Sequence, residues 1–215
     1  MKVKFCRIAF LSILIFSLSS CLGVNVDIRL NQNGSGTITL EYTVSQSLDS
    51  LGRLDGNERW NTIPTGRADF QRTIDRLPEM KLLSFSSRED NRNIINTARM
   101  EFSSIQGLLA LLDADGRRSS FSADAGSSRL VLTLSEGAVT ESPSLNELLA
   151  EITAPYDVKI SVSFPREGSL AVMDREGRPI DPESSFNTRG RTVSCSFPLY
   201  EILSSEDGID LVFSW

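Results

Sequence analysis

Val24-Asn-Val-Asp-Ile-Arg-Leu30 is the stretch on which the reading of the fold turns. Apolar residues stand at 24, 26, 28 and 30, and polar residues at 25, 27 and 29. That two-residue period is the signature of a strand with one buried face and one wet face. Asn31-Gln-Asn-Gly-Ser-Gly36 follows, a turn rich in residues that tolerate positive φ. Ile38, Leu40, Tyr42 and Val44 then repeat the alternation. The pattern predicts a β-hairpin with a loop longer than two residues.

Working toward the C terminus, Leu48, Leu51 and Leu54 suggest a short helix, and Phe70, Ile74 and Leu77 a second one that Pro78 ends. Leu83 and Phe85 predict a strand, Glu89-Asp-Asn-Arg-Asn93 a turn, and Ala98, Met100 and Phe102 the returning strand. Ser103-Ser-Ile-Gln106 and Ser144-Leu-Asn-Glu147 read as capping boxes. Each opens a helix with an apolar stripe: Ile105, Leu108, Leu109 and Leu112 in one, Leu145, Leu148, Leu149 and Ile152 in the other. Between them, Phe121 and Ala123 pair naturally with Leu130, Leu132 and Leu134.

Val158, Ile160, Val162 and Phe164 alternate again. A turn-rich stretch over 165–190 holds a short strand at Leu170–Met173. The chain closes with the Val193-Cys195-Phe197 strand, a short helix near Leu199–Leu203, and Ile209–Trp215. Alternating strands interleaved with short helices predict an α+β fold. The expectation is an antiparallel β-sheet built from hairpins with several short helices packed on one face. No Pro/Gly/Ser linker interrupts residues 24–215, which read as a single α+β domain.

Upstream of the first strand lies a segment of a different kind. Lys2, Lys4 and Arg7 precede an apolar run at 8–18, and Leu18-Ser-Ser-Cys21 closes it. A cationic head, a short apolar core and small residues before a cut site make a secretory signal over residues 1–20. The run is too short to span a bilayer, which takes ~20 residues. A cysteine directly after the small residues marks a lipobox, in which a diacylglycerol is joined to the Cys21 thiol. Ser20 before it resembles the relaxed lipoboxes of spirochaetes. Residues 21–23 are then the lipidated N terminus and a very short tether, so the domain sits almost on the headgroups. The expected location is the bacterial cell envelope, with the chain lipid-anchored to a membrane.

Cleavage removes three positive charges, so Lys+Arg falls from 22 to 19 against 28 Asp+Glu and the net charge moves from −6 to about −9. Such a surface disfavours nucleic acid and anionic headgroups. Cys6 leaves with the signal and Cys21 is acylated, so Cys195 remains a lone thiol. Its alternation partners Val193 and Phe197 are apolar, which predicts a buried thiol packing as a small hydrophobe. About 195 residues suffice for a core without disulfides.

The first hairpin, with Asn33-Gly-Ser-Gly-Thr37 after the alternating strand, resembles the mycobacterial LppM-type lipoprotein domain. Ala98-Arg-Met-Glu-Phe102 running into Ser103-Ser-Ile, and Val158–Pro165 with Gly168 after it, are also similar. The resemblance implies an α+β exported lipoprotein domain with a lipid- or glycolipid-related role and no catalytic motif. The sequence departs from that family at Cys195, where an aromatic residue is expected, and it ends at Trp215 without a C-terminal membrane helix.

Histidine is absent, which excludes Ser-His-Asp and Cys-His catalysis and His-based zinc sites. Asp113-Ala-Asp115-Gly116 looks like the start of a calcium loop, but Arg117 stands at the fifth position and Asp124 at the twelfth, where a bidentate Glu belongs. Asn31–Gly36 lacks a phosphate-loop lysine. Asp174–Asp181 reads as a solvated loop with recognition as its alternative, and Glu206-Asp-Gly208 as a turn. Trp60 reads as a core residue, with a partner anchor as the alternative. No cofactor or metal is implied.

The expected function is a membrane-anchored, non-enzymatic binding domain whose ligand is a lipid or an envelope protein. The alternatives are an envelope hydrolase running on Asp/Glu carboxylates, which would gather two acids about 5–10 Å apart in a cleft, and a structural or antigenic surface lipoprotein.

Overall fold

The structure, a computed structural model, describes residues 23–45, 66–90, 93–113, 119–124, 126–137, 156–180 and 185–215, with isolated positions between 147 and 153. Cys21, the leucines at 48, 51 and 54, Trp60 and the apolar stripe of the helix expected over 145–152 lie outside these residues.

Strands β1 (Val24–Leu30) and β2 (Gly36–Ser45) form the expected hairpin. Its turn is closed by the Asn31 N–H donating to the Ser35 carbonyl at 2.8 Å, and Gly34 sits at φ +80°. The Asn33 side-chain oxygen accepts from the Ser35 N–H at 3.1 Å, the local bond that makes Asn a turn former. The chain continues with helix α1 (Arg67–Ile74), strands β3 (Met80–Asp90) and β4 (Asn93–Phe102), and helix α2 (Ile105–Leu112). Strands β5 (Ser120–Asp124), β6 (Ser127–Ser135), β7 (Asp157–Ser163), β8 (Ser169–Met173), β9 (Ser185–Arg189) and β10 (Thr192–Pro198) follow, then helix α3 (Leu199–Ser204) and strand β11 (Ile209–Ser214).

These elements overturn the expected α+β class. The described chain is mostly β and divides into two sheets, one of seven strands in the order β3-β4-β2-β1-β7-β10-β9 and one of four in the order β5-β6-β11-β8. The smaller sheet is antiparallel, but the larger is mixed, because β1 and β7 run parallel. Three short helices are delimited among the described residues, and they do not form a layer over one sheet face. The misreading has two physical sources. Alternation reports which face of a strand is buried and says nothing about its partner's direction. β1 and β7 alternate because their shared outer face is wet, so their parallel pairing leaves no continuous apolar run. Alternation is equally silent on what covers the buried face, and here a second sheet contributes to that core.

One contiguous core joins both sheets. Ile28, Ile38, Met100, Val162 and Phe197 come from the large sheet, and Leu130, Leu211 and Phe213 from the small one. Phe164, just past β7, packs against Phe213 and Trp215 with ring centroids 5.9 and 5.0 Å away. Phe70 of α1 lies against Tyr42 and Phe85. Asn96 on β4 interrupts this apolar surface: its amide is fully buried and neither polar atom has a hydrogen-bond partner.

Three local expectations shift. A bulge between Leu82 and Ser84 buries Leu82 and leaves Leu83 40% exposed, the reverse of simple alternation through Leu83 and Phe85. The α2 cap is Ser104, not Ser103; its hydroxyl accepts from the Gly107 N–H at 3.2 Å and donates to the Glu79 carboxylate. The stretch 165–190 contains an unforeseen edge strand, β9, in which every residue is exposed, so no apolar alternation marks it.

Candidate functional site

The polar positions of the alternating strands meet on the outer face of the large sheet. Register fixes two rows. Asn25 is opposite Glu41 on one side and Lys159 on the other, and Thr97 and Ser196 extend that row. Asp27 is opposite Thr39 and Ser161, and Ser194 and Asn187 extend the second row. Together these side chains line a depression of 670 Å³.

Val26, Ile160 and Cys195 also line it, and each sits between two lining polar residues of its own strand. In a pleated strand such a residue turns its side chain to the other face, so these three supply backbone to the floor. Phe186, between Ser185 and Asn187 on the edge strand, likewise lends backbone and turns its ring to the other face. Its ring meets Phe197 edge-on at 6.0 Å, and it remains 45% exposed.

The charged groups in the depression differ in how firmly they are held. Glu41 accepts from Asn25 Nδ2 through one carboxylate oxygen at 3.1 Å and from Thr97 Oγ1 through the other at 3.3 Å. Asp27 Oδ1 accepts from Arg29 Nε at 3.1 Å. Among the described residues, Lys159 makes a long contact to Asp157, 3.7 Å, with both side chains about half exposed. Asp27 and Glu41 are diagonal neighbours on one face, roughly 7 Å apart at Cβ.

Cys195 lies behind this floor. It is buried, its Sγ donates to the Ile160 carbonyl at 3.7 Å, and burial pushes the thiol up to about 12 from its usual 9.0. The expected buried thiol is therefore found.

The other sequence candidates fall elsewhere. Asp113 is buried at the end of α2 and accepts from the Ser119 N–H at 2.7 Å, so it closes the turn from helix to strand. Asp115 and Gly116 lie outside the described residues, among which no three His, Cys, Asp or Glu side chains group as metal ligands. The expected solvated loop is exposed over residues 175–179, and its first residue, Asp174, anchors it as a turn. Asp174 is buried and accepts from the Glu176 and Arg178 N–H groups at 2.9 and 2.8 Å and from Arg178 Nε at 2.5 Å. Burial alone would raise the Asp174 carboxyl, but the Arg178 N–H and guanidinium outweigh it and hold it below its usual 3.8. The Arg175 N–H donates to the Asp207 carbonyl at 3.1 Å, tying this turn to the one at Glu206–Gly208.

Sequence reasoning treated Asn25, Asp27, Glu41 and Lys159 as the wet side of strands and no more. No motif marks them: Asn25, Asp27 and Glu41 meet through the β1–β2 register, and Lys159 joins them through the parallel β1–β7 register.

No protein-family model matches the chain, and no curated protein matches it. Among solved structures, the chain is similar to the folded domain of LppM from Mycobacterium tuberculosis, determined by NMR. The identity is 12% over 90% of this chain and 89% of that one, with a TM-score of 0.43, a weak likeness of fold. Among the described residues, no helix is long and apolar enough to cross a membrane.

Proposed function

We propose that the chain is a membrane-anchored lipoprotein of the bacterial envelope and that its domain is a non-enzymatic binding module. Its ligand, a lipid or another envelope protein, sits against the polar face of the large sheet. The observation that carries this reading is the place of the 670 Å³ depression. Asn25, in its lining, follows the expected lipidated Cys21 by four residues. Four residues span at most about 14 Å, so acylation at Cys21 holds the depression beside the headgroups. The acidic chain has no general attraction to anionic lipid, so this closeness comes from the covalent anchor.

The hydrolase alternative draws on the Asp27–Glu41 pair. Both carboxylates are already engaged as acceptors, by Asn25, Thr97 and Arg29, which suits holding a ligand better than delivering a proton.

A photo-crosslinking residue at Asn187, in the depression, tests the binding face in intact cells, with Ser122 on the small sheet as the control position. The reading expects one defined lipid or envelope protein captured from Asn187 and not from Ser122. Identical products from both positions, or none from Asn187, would reject it.

A further inference from the structure

We propose that the depression takes the headgroup of a zwitterionic phospholipid, one that carries both an ammonium and a phosphate. This rests on the reading above that the polar face is the binding face. Charge complementarity at fixed spacing selects such a ligand. Glu41 and Lys159 flank Asn25 in register, so two strand spacings, about 10 Å, separate their backbones while both side chains project onto the same face. A headgroup lying across Asn25 brings its ammonium to Glu41 and its phosphate to Lys159.

The two ends are prepared differently. Glu41 is held in place by one neutral donor on each oxygen, which leaves acceptor capacity for the N–H groups of an ammonium. Lys159 is available: its 3.7 Å contact to the half-exposed Asp157 is a surface pair of little worth, readily exchanged for a phosphate. The Ser196 hydroxyl, directly opposite Lys159, adds a neutral donor at the same end. Asp27 and Glu41 together repel a purely anionic ligand, and Lys159 repels a purely cationic one. The expected anchor at Cys21, four residues before Asn25, favours a membrane lipid over a free polar solute, because it holds the depression beside the headgroups.

The test is a titration of full-length protein in maltoside micelles with glycerophosphoethanolamine, followed by NMR or calorimetry. Saturable binding is expected. Ethanolamine alone and glycerophosphate alone should each bind at least tenfold more weakly. Glu41→Gln and Lys159→Gln should each weaken binding at least tenfold, Lys159→Arg should retain it, and Ser122→Ala should leave it unchanged. Thermal melts of each variant identify a loss that comes from unfolding, and Lys159→Arg keeps the assignment testable if Lys159→Gln fails to fold. Absence of saturable binding, equal binding of glycerophosphate alone, or indifference to both charge-removing variants would overturn the assignment. If that happens while crosslinking from Asn187 still captures a defined molecule, the headgroup assignment falls and the binding face stands. If both fail, the binding face falls as well.

Discussion

Cys195 should be nearly inert to alkylation in the folded protein and reactive once the protein is unfolded. The thiol is 3% exposed and burial lifts it to about 12 from 9.0. At pH 8 roughly one thiol in ten thousand is then ionised, against about one in ten for an ordinary thiol at 9.0, and only the thiolate reacts. Ionisation alone slows labelling about a thousandfold, and the closed site slows it further. Cys195→Ser should cost about 1–3 kcal/mol, because it places a hydroxyl among Val193, Phe197 and Ile160. In a domain of this size that lowers Tm by roughly 2–12 °C.

The pH dependence has a definite sign. The folded thiol stays protonated above the unfolded value, so its contribution is complete below pH 9 and is lost as pH rises from 9.0 toward about 12. Cys195→Ala should lack that alkaline loss. The assay is iodoacetamide labelling with and without urea, read by peptide mass mapping. Rapid labelling of Cys195 in the native protein would refute both the burial and the chemistry built on it.

Three further substitutions probe the frame that holds the site. A Cβ added at Gly36 would lie 2.0 Å from the Arg29 carbonyl oxygen and 2.5 Å from the Phe102 ring. Gly36→Ala should therefore exceed the ~1–3 kcal/mol of ordinary overpacking, as measured by urea denaturation. Asn96→Leu removes two buried polar atoms that have no partner and should stabilise by about 1–2 kcal/mol; a loss of stability in the same assay would contradict this. Asp174→Asn should destabilise at pH 7. Because the Asp174 carboxyl is held below 3.8 in the fold, its contribution is present above that pH and lost as the pH falls below it. The gap between wild type and variant should close in acid, and a gap constant with pH would argue against the turn described at Asp174–Arg178.

What was legible in the sequence was local. The β1–β2 hairpin, the inward faces of β4, β7 and β10, the α2 apolar stripe up to Leu109 (its last member, Leu112, is 38% exposed) and the burial of Cys195 all follow from two- and four-residue periods. What was not legible is relational. No residue in Val24–Leu30 announces that Val158–Ser163 will lie parallel beside it, and none in Leu130–Leu134 announces a separate sheet with β11 and β8. β9 was missed because an exposed edge strand has no buried face to enforce alternation. The candidate site went unseen for the same reason as the topology: Asn25, Glu41 and Lys159 become neighbours only through register.

The central claim is that a polar sheet face works because a short tether keeps it at the membrane. Its most direct test is a long-leash variant carrying about twenty Gly/Ser residues after Gly23, which lets the domain drift ~25 Å as a random coil. Crosslink yield from Asn187 is measured in that variant and in the parent, in intact cells, alongside membrane fractionation. The account predicts that capture of the ligand falls sharply while fractionation and folding are unchanged. Undiminished capture from the long-leash variant would contradict it.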